Sequence, residues 1–186
     1  EAEEQSFAAF CAGNADNAIP FFASSVIEKD ENKLELLKKL FEEKKKDFCP
    51  EDKNGVILFE NSDEKELLSK KDAQSVLSYI TNVKNGVVSM SKNVPGLVQT
   101  SLNLGVVKTE DGKVTLSHAI RSSVNAERAE LEKDVEKTAV SLGGITAFHS
   151  GYPAWEFFEN SVLQKVFCAA YKEMFNREMT LSAINA

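Results

Sequence analysis

The chain has 186 residues, 42% of them apolar and 27% charged, and a net charge of −7. That length suits one large domain or two small ones, and the composition excludes disordered, collagen-like and low-complexity classes. An acidic chain repels a phosphate backbone, so no nucleic acid partner is expected, and no apolar run approaches the roughly 20 residues of a membrane span.

From the N-terminus, Phe7 to Cys11 reads as a strand, closed by the turn-rich Gly13-Asn14-Ala15-Asp16-Asn17. A second extended segment, Phe22 to Ile27, follows Pro20. Leu34, Leu37, Phe41 and Phe48 then recur at helical spacing from Glu31 onward. Nine acidic and eight basic residues between Glu28 and Lys53 make a mixed-charge solvated face, not a docking patch. Pro50 ends this helix, and the compact run Val56-Ile57-Leu58-Phe59 is expected as a buried central strand. A helix from Asp63 to Thr81, opened by an Asp63/Glu66 capping box, leads through Lys84-Asn85-Gly86 into a strand, Val87 to Met90.

Beyond Val98, Thr100, Leu102, Leu104 and Val106 alternate with Gln99, Ser101, Asn103 and Gly105, the period of a half-buried strand. Asp111-Gly112 predicts a hairpin turn. The returning strand places Val114, Leu116, His118 and Ile120 on one face and Thr115, Ser117, Ala119 and Arg121 on the other. A helix follows from Asn125, its expected N-cap, to Leu142, with Gly143 just past its end. Ile145 to His149 is expected as a strand, and Gly151 to Trp155 as a rigid crossing segment anchored by packed Trp155. Ser161 and Gln164 cap a last helix, and Met179 to Ile184 is expected as a closing strand. Both halves thus read strand, strand, helix, strand, helix, strand. The expected fold is α+β, a mainly antiparallel sheet flanked by helices, related to ferredoxin-like folds and built from duplicated strand-strand-helix-strand units.

Chemically the chain is sparse. Cys11, Cys49 and Cys168 are odd in number and widely spaced, which suits reduced core residues of a cytoplasmic protein, not a disulfide framework or a thiolate zinc site. The start, Glu1, lacks the basic and apolar regions of a signal peptide and suggests a processed chain or an excised fragment. No His-x-Asp, His-Glu-x-x-His, Cys-x-x-Cys or phosphate-loop pattern occurs, so neither catalytic nor metal-ligating residues are assigned. His118, on an apolar face, reads as structural, and so does His149 at a strand end. Arg121 lies near the end of a rigid strand, where a planar guanidinium suits bidentate capture of a carboxylate, against the plainer reading of a surface ion pair. Asn17 precedes Ile19-Pro20 in a turn, where asparagine is common for conformational reasons alone.

Four motifs in order carry a resemblance: Gly13 to Pro20 (GNADNAIP), Gly96 to Val107 (GLVQTSLNLGVV), Ile120 to Val124 (IRSSV) and Gly151 to Phe157 (GYPAWEF). From about Gly13 to its C-terminus the chain resembles the aminoacyl-histidine dipeptidases, also called Xaa-His or cytosolic nonspecific dipeptidases, of the di-zinc metallopeptidase superfamily. The resemblance implies a parent enzyme whose catalytic domain, holding two zinc ions, is interrupted by a lid domain. Residues 1–158 resemble the lid and dimerisation domain, and residues 159–186 the segment that returns to the catalytic domain. It further implies a dipeptide substrate, a homodimer, no cofactor within this chain, Arg121 as the lid arginine that binds the substrate's C-terminal carboxylate, and Asn17 as its helper.

Three features depart from the family. His149-Ser150-Gly151 repeats a family motif but at the wrong place in the order, so its role is not carried over to His149. Phe21-Phe22 stands where the family usually has Arg-Glu, and Ile184-Asn185-Ala186 lacks the family's histidine. Two readings result: a lid and dimerisation fragment of a zinc-dependent dipeptidase, or a free-standing non-enzymatic α+β module that dimerises or binds a small ligand. Flanking coding sequence with His-x-Asp upstream and Gly-Leu-Glu downstream would favour the first.

Overall fold

The computed structural model describes residues 7–64, 68–156, 158 and 161–182. Five antiparallel strands form one open sheet: β1 (Phe7–Ala12), β2 (Ala23–Ile27), β3 (Gly86–Met90), β4 (Val98–Glu110) and β5 (Lys113–Ser122). Four helices accompany it: α1 (Glu31–Lys45), α2 (Lys70–Asn82), α3 (Asn125–Ser141) and α4 (Val162–Phe175). The α+β expectation therefore holds, but the expected strand, strand, helix, strand, helix, strand repeat does not: among the described residues no strand separates α1 from α2 or α3 from α4, and β3 stands between α2 and β4.

The long β4 organises the sheet. Its partner β5 follows one edge throughout, from Thr100↔Ser122 to Glu110↔Lys113, around the turn at Asp111 (φ 50°) and Gly112 (φ 69°). The other edge is shared: β3 pairs with Val98–Leu102, and β1 reaches β4 at Val107 through Ala12. Residues 103–106 are left without a strand on that side, so a notch opens between β1 and β3.

Alternation decides the two faces of the sheet. Leu102 is 0% exposed and packs with Tyr79 and Val83 at the end of α2, and with Leu131, Val135 and Ala139 of α3. Leu116 and Ile120 complete this core from β5. A bulge between Leu104 and Val106 shifts the register, so Val107, paired with Leu116, is buried in place of the expected Val106. Gly105 sits at that bulge, as a glycine inside a strand pattern often does.

His118 joins the core face as expected. Tyr79 Oη lies 3.0 Å from its Nε2, while its Nδ1 is buried without a partner. Burial lowers the imidazole pKa from 6.5 to about 4 because the charged ring would lose its water. Between those two values the unfolded chain binds a proton that the folded one refuses. Stability is thus complete above pH 6.5 and declines as pH falls towards 4. The expected loss is about 2 kcal/mol, below the full linkage value because part of the ring still meets solvent. Urea unfolding of the wild type and His118→Gln at pH 7 and pH 4 checks this, since the substitution should remove that share of the pH dependence.

Several local expectations are corrected. Residues 56–59 form no strand, with Val56 and Leu58 exposed. Residues 145–149 form none either, and Ile145 is 99% exposed. An apolar run becomes a strand only where it is laid along a free edge, and neither segment pairs with the outer edge of β2, β3 or β5. Helix α2 starts at Lys70 with Ser69 as its cap, the Ser69 hydroxyl accepting from the Asp72 amide at 3.1 Å. Glu66 of the expected capping box lies outside the described residues. Val124, not Asn125, is the N-cap of α3. Trp155 is 90% exposed and is not the expected packing anchor among the described residues. Residues 179–182 have no regular structure, and Ile184 lies outside the described residues. Ser161 does cap α4, accepting from the Gln164 amide at 3.3 Å, and Gly143 follows α3 with φ 84°.

Candidate functional site

Arg121 and Asn17 both belong to the side of the sheet away from α2 and α3. In the β4–β5 register Ser101 faces Arg121 and Asn103 faces Ala119, so these four residues share the open face. Arg121 is half-buried there, with no hydrogen-bond or ion-pair partner among the described residues. The plain surface ion pair is therefore not formed. An unpaired guanidinium keeps its planar set of donors available for an incoming anion.

Asn17 reaches the same region by a different route. The loop between β1 and β2 closes where the Gly13 amide donates to Phe22 O at 3.2 Å, and then folds back against the notch in β4. Asn103 Nδ2 donates to Asp16 O and to Ala18 O, both at 2.8 Å, which brackets Asn17 on each side. The contact is backbone on backbone: a Cβ on Gly105 would lie 2.3 Å from Asp16 O, and one on Gly13 would lie 1.9 Å from Gly105 O. Gly13 also has φ 62°, which favours a residue without Cβ. On the β3 side, Asn85 Oδ1 accepts from the Leu104 amide at 2.9 Å and satisfies a donor that has no strand partner. Asn17 itself is exposed, and no hydrogen bond joins it to Arg121.

A second polar cluster lies at the start of α3, behind the strand ends. Glu127 accepts from Ser89 Oγ at 2.6 Å, and from Gln99 Nε2 and Thr100 Oγ1 at 2.5 Å each. Thr100, 1% exposed, also meets Ser122 Oγ at 2.8 Å. The Ser89 and Thr100 hydroxyls hold the Glu127 carboxyl below its ordinary pKa because they stabilise the ionised form. Three donors already satisfy Glu127, so this cluster joins β3, β4 and α3 and offers no free base. Nearby, Asn125 Oδ1 accepts from the Ala154 amide at 3.0 Å and Arg128 Nη1 donates to Tyr152 O, strapping the Tyr152–Trp155 segment across the first turn of α3.

The remaining candidates stand apart. His149 is exposed, and Cys11, Cys49 and Cys168 are all free. The Cys49 thiol lies 3.0 Å from an Asp52 carboxylate oxygen, a bond that raises its pKa and makes it a poorer nucleophile. Among the described residues, no three His, Cys, Asp or Glu side chains converge as metal ligands would, and no helix is long and apolar enough to cross a membrane. Alternation alone does not single out Asn103 and Gly105. Their signal is an asparagine and a glycine inside an otherwise β-prone run, two residues poor at building strands.

No family model matches the chain. It is 28% identical over 182 residues to the cytosol non-specific dipeptidase of Escherichia coli (strain K12), covering 95% of this chain and 38% of that protein. Its fold superposes with a TM-score of 0.83 on the crystal structure of aminoacylhistidine dipeptidase from Vibrio alginolyticus. There the identity is 27%, over 98% of this chain and 38% of the other. The resemblance carried by the four motifs therefore holds, with this chain spanning 38% of the length of either relative.

Proposed function

We propose that this chain is the lid and dimerisation part of a zinc-dependent dipeptidase that hydrolyses Xaa-His and related dipeptides. Residues 1–158 are the lid, and residues 159–186 return to the catalytic domain. The zinc pair and the general base belong to that other domain, and this chain contributes orientation. Arg121 binds the substrate's C-terminal carboxylate with paired hydrogen bonds, Asn17 assists, and lid closure keeps water from the reacting bond.

The observation that carries the reading is Arg121: a half-buried arginine whose side chain has no partner among the described residues, on the open face over which the Asn17 loop is held. Exposed apolar residues on α4, among them Val166, Phe167 and Met174, fit a face that the catalytic domain of such a parent would cover.

The test is a titration of the purified chain with alanyl-histidine and with its C-terminal amide, followed by amide NMR shifts. The acid should perturb the Ser101, Arg121 and Asn17 signals, and the amide should not. Arg121→Ala should weaken binding of the acid by about tenfold or more, the value of a charge-assisted hydrogen bond. Equal responses to acid and amide, or an unchanged affinity in Arg121→Ala, would falsify the carboxylate role.

A further inference from the structure

The loop that carries Asn17 has no strand partner to hold it in place. It spans the notch left where β1 and β3 divide one edge of β4. Its contact at Gly105 and Gly13 is a close approach of backbones, which permits the loop to dock but supplies no directional bond. The bonds come from one side chain. Asn103 donates from a single carboxamide nitrogen to the carbonyls immediately before and after Asn17, at 2.8 Å each. Both carboxamide hydrogens are thereby used, one on each side. The same residue stands opposite Ala119 on β5, two positions from Arg121, whose own partner Ser101 is two positions from Asn103. Two residues of strand span roughly 7 Å, so the rigid β4–β5 ladder sets the distance between the arginine and the clamp.

We infer that Asn103 is a positioning residue, which places Asn17 at a set distance from Arg121 so that both meet one carboxylate. This rests on the carboxylate reading proposed above and adds the residue on which its geometry depends. Asn103 does not touch the ligand. It acts through the Asn17 backbone, and that separates it from Arg121, whose removal deletes a contact outright.

The experiment compares Asn103→Ala and Asn103→Leu in the full chain. The second variant nearly keeps the volume and removes the donors without adding charge, so a lost hydrogen bond is separated from lost packing. Backbone ¹⁵N relaxation at Asn17 and Ala18 should change from ordered to mobile, with the Leu102 and Ile120 amides unaffected. Affinity for alanyl-histidine should fall about three- to tenfold, the range of one or two neutral hydrogen bonds. In an Asn17→Ala background, Asn103→Ala should bring no further loss of affinity, because the two act as a unit. An ordered loop in both variants, an undiminished affinity, or an additive loss in the double variant overturns the inference. Failure of the unsubstituted chain to distinguish the dipeptide from its amide is read on wild type alone. That result removes the carboxylate reading and this inference together, whereas the variant outcomes bear on Asn103 only.

Discussion

Gly105→Ala is expected to destabilise the chain by about 3 kcal/mol, the upper range for forcing atoms into a packed site. The added Cβ would sit 2.3 Å from Asp16 O and 2.4 Å from Ala15 O. These are backbone atoms, so no rotamer change relieves the clash, and the loop must leave the notch. Loss of the loop would also release Asn17 from its bracket at Asn103. The control is Gly112→Ala in the β4–β5 turn, where φ is 69° but nothing lies within 4 Å of the new Cβ. Only the backbone penalty of about 1 kcal/mol applies there. Urea denaturation of the two variants should separate them by about 2 kcal/mol, and equal midpoints would show that the loop docks loosely.

The second large effect is expected at Leu102→Ala. Leu102 is 0% exposed and meets side chains of both α2 and α3, so neither helix can collapse into the space without losing contacts with the other. A fully buried Leu→Ala change of this kind costs about 3 kcal/mol, and a single domain typically holds only some 5–15 kcal/mol in total. Trp155→Ala is the contrast. Its side chain is larger, but at 90% exposure its removal should alter stability by less than about 0.5 kcal/mol. Chemical denaturation decides this, and a loss at Trp155 comparable to that at Leu102 would restore the packing role expected from the sequence.

The two errors of strand assignment share one cause. Val56 to Phe59 and Ile145 to His149 are apolar and bounded by turn residues, which is all that a buried strand and an uncovered extended segment have in common. Neither pattern records whether a strand edge is free nearby. In the fold β5, β1 and β3 take up the edges of β4, and neither segment is carried to the outer edges of β2, β3 or β5, which have no strand beside them among the described residues. Trp155 failed for a related reason. Tryptophan is usually packed, but its packing partner must be within reach, and here its segment is tied to α3 by backbone groups with the indole directed away.

The candidate site was legible in part. Arg121 was assigned to the polar face of its strand by alternation, and the β4–β5 pairing puts it there. Asn17 stood out only through the short Asn-x-Ile-Pro motif and the resemblance it supports. Little in residues 13–20 indicates that their loop returns to β4, about 85 residues later, because the contact is made by the Asn103 side chain and Gly105 on the other partner, with only Gly13 on the loop side.

What the sequence determined by itself was periodic and local: the α+β class, the Asp111-Gly112 hairpin, the core face of β5 with His118 on it, and the Ser161 cap of α4. These depend on neighbours within a few residues, where alternation, helical spacing and turn chemistry act directly. Only the tertiary structure decided the division of the β4 edge, the bulge that exchanges Val106 for Val107, the burial that lowers the His118 pKa, and the clamp of Asn103 on the Asn17 loop. Each of these requires two distant stretches of chain to meet, and a linear pattern holds no record of which edge, face or carbonyl will be the partner.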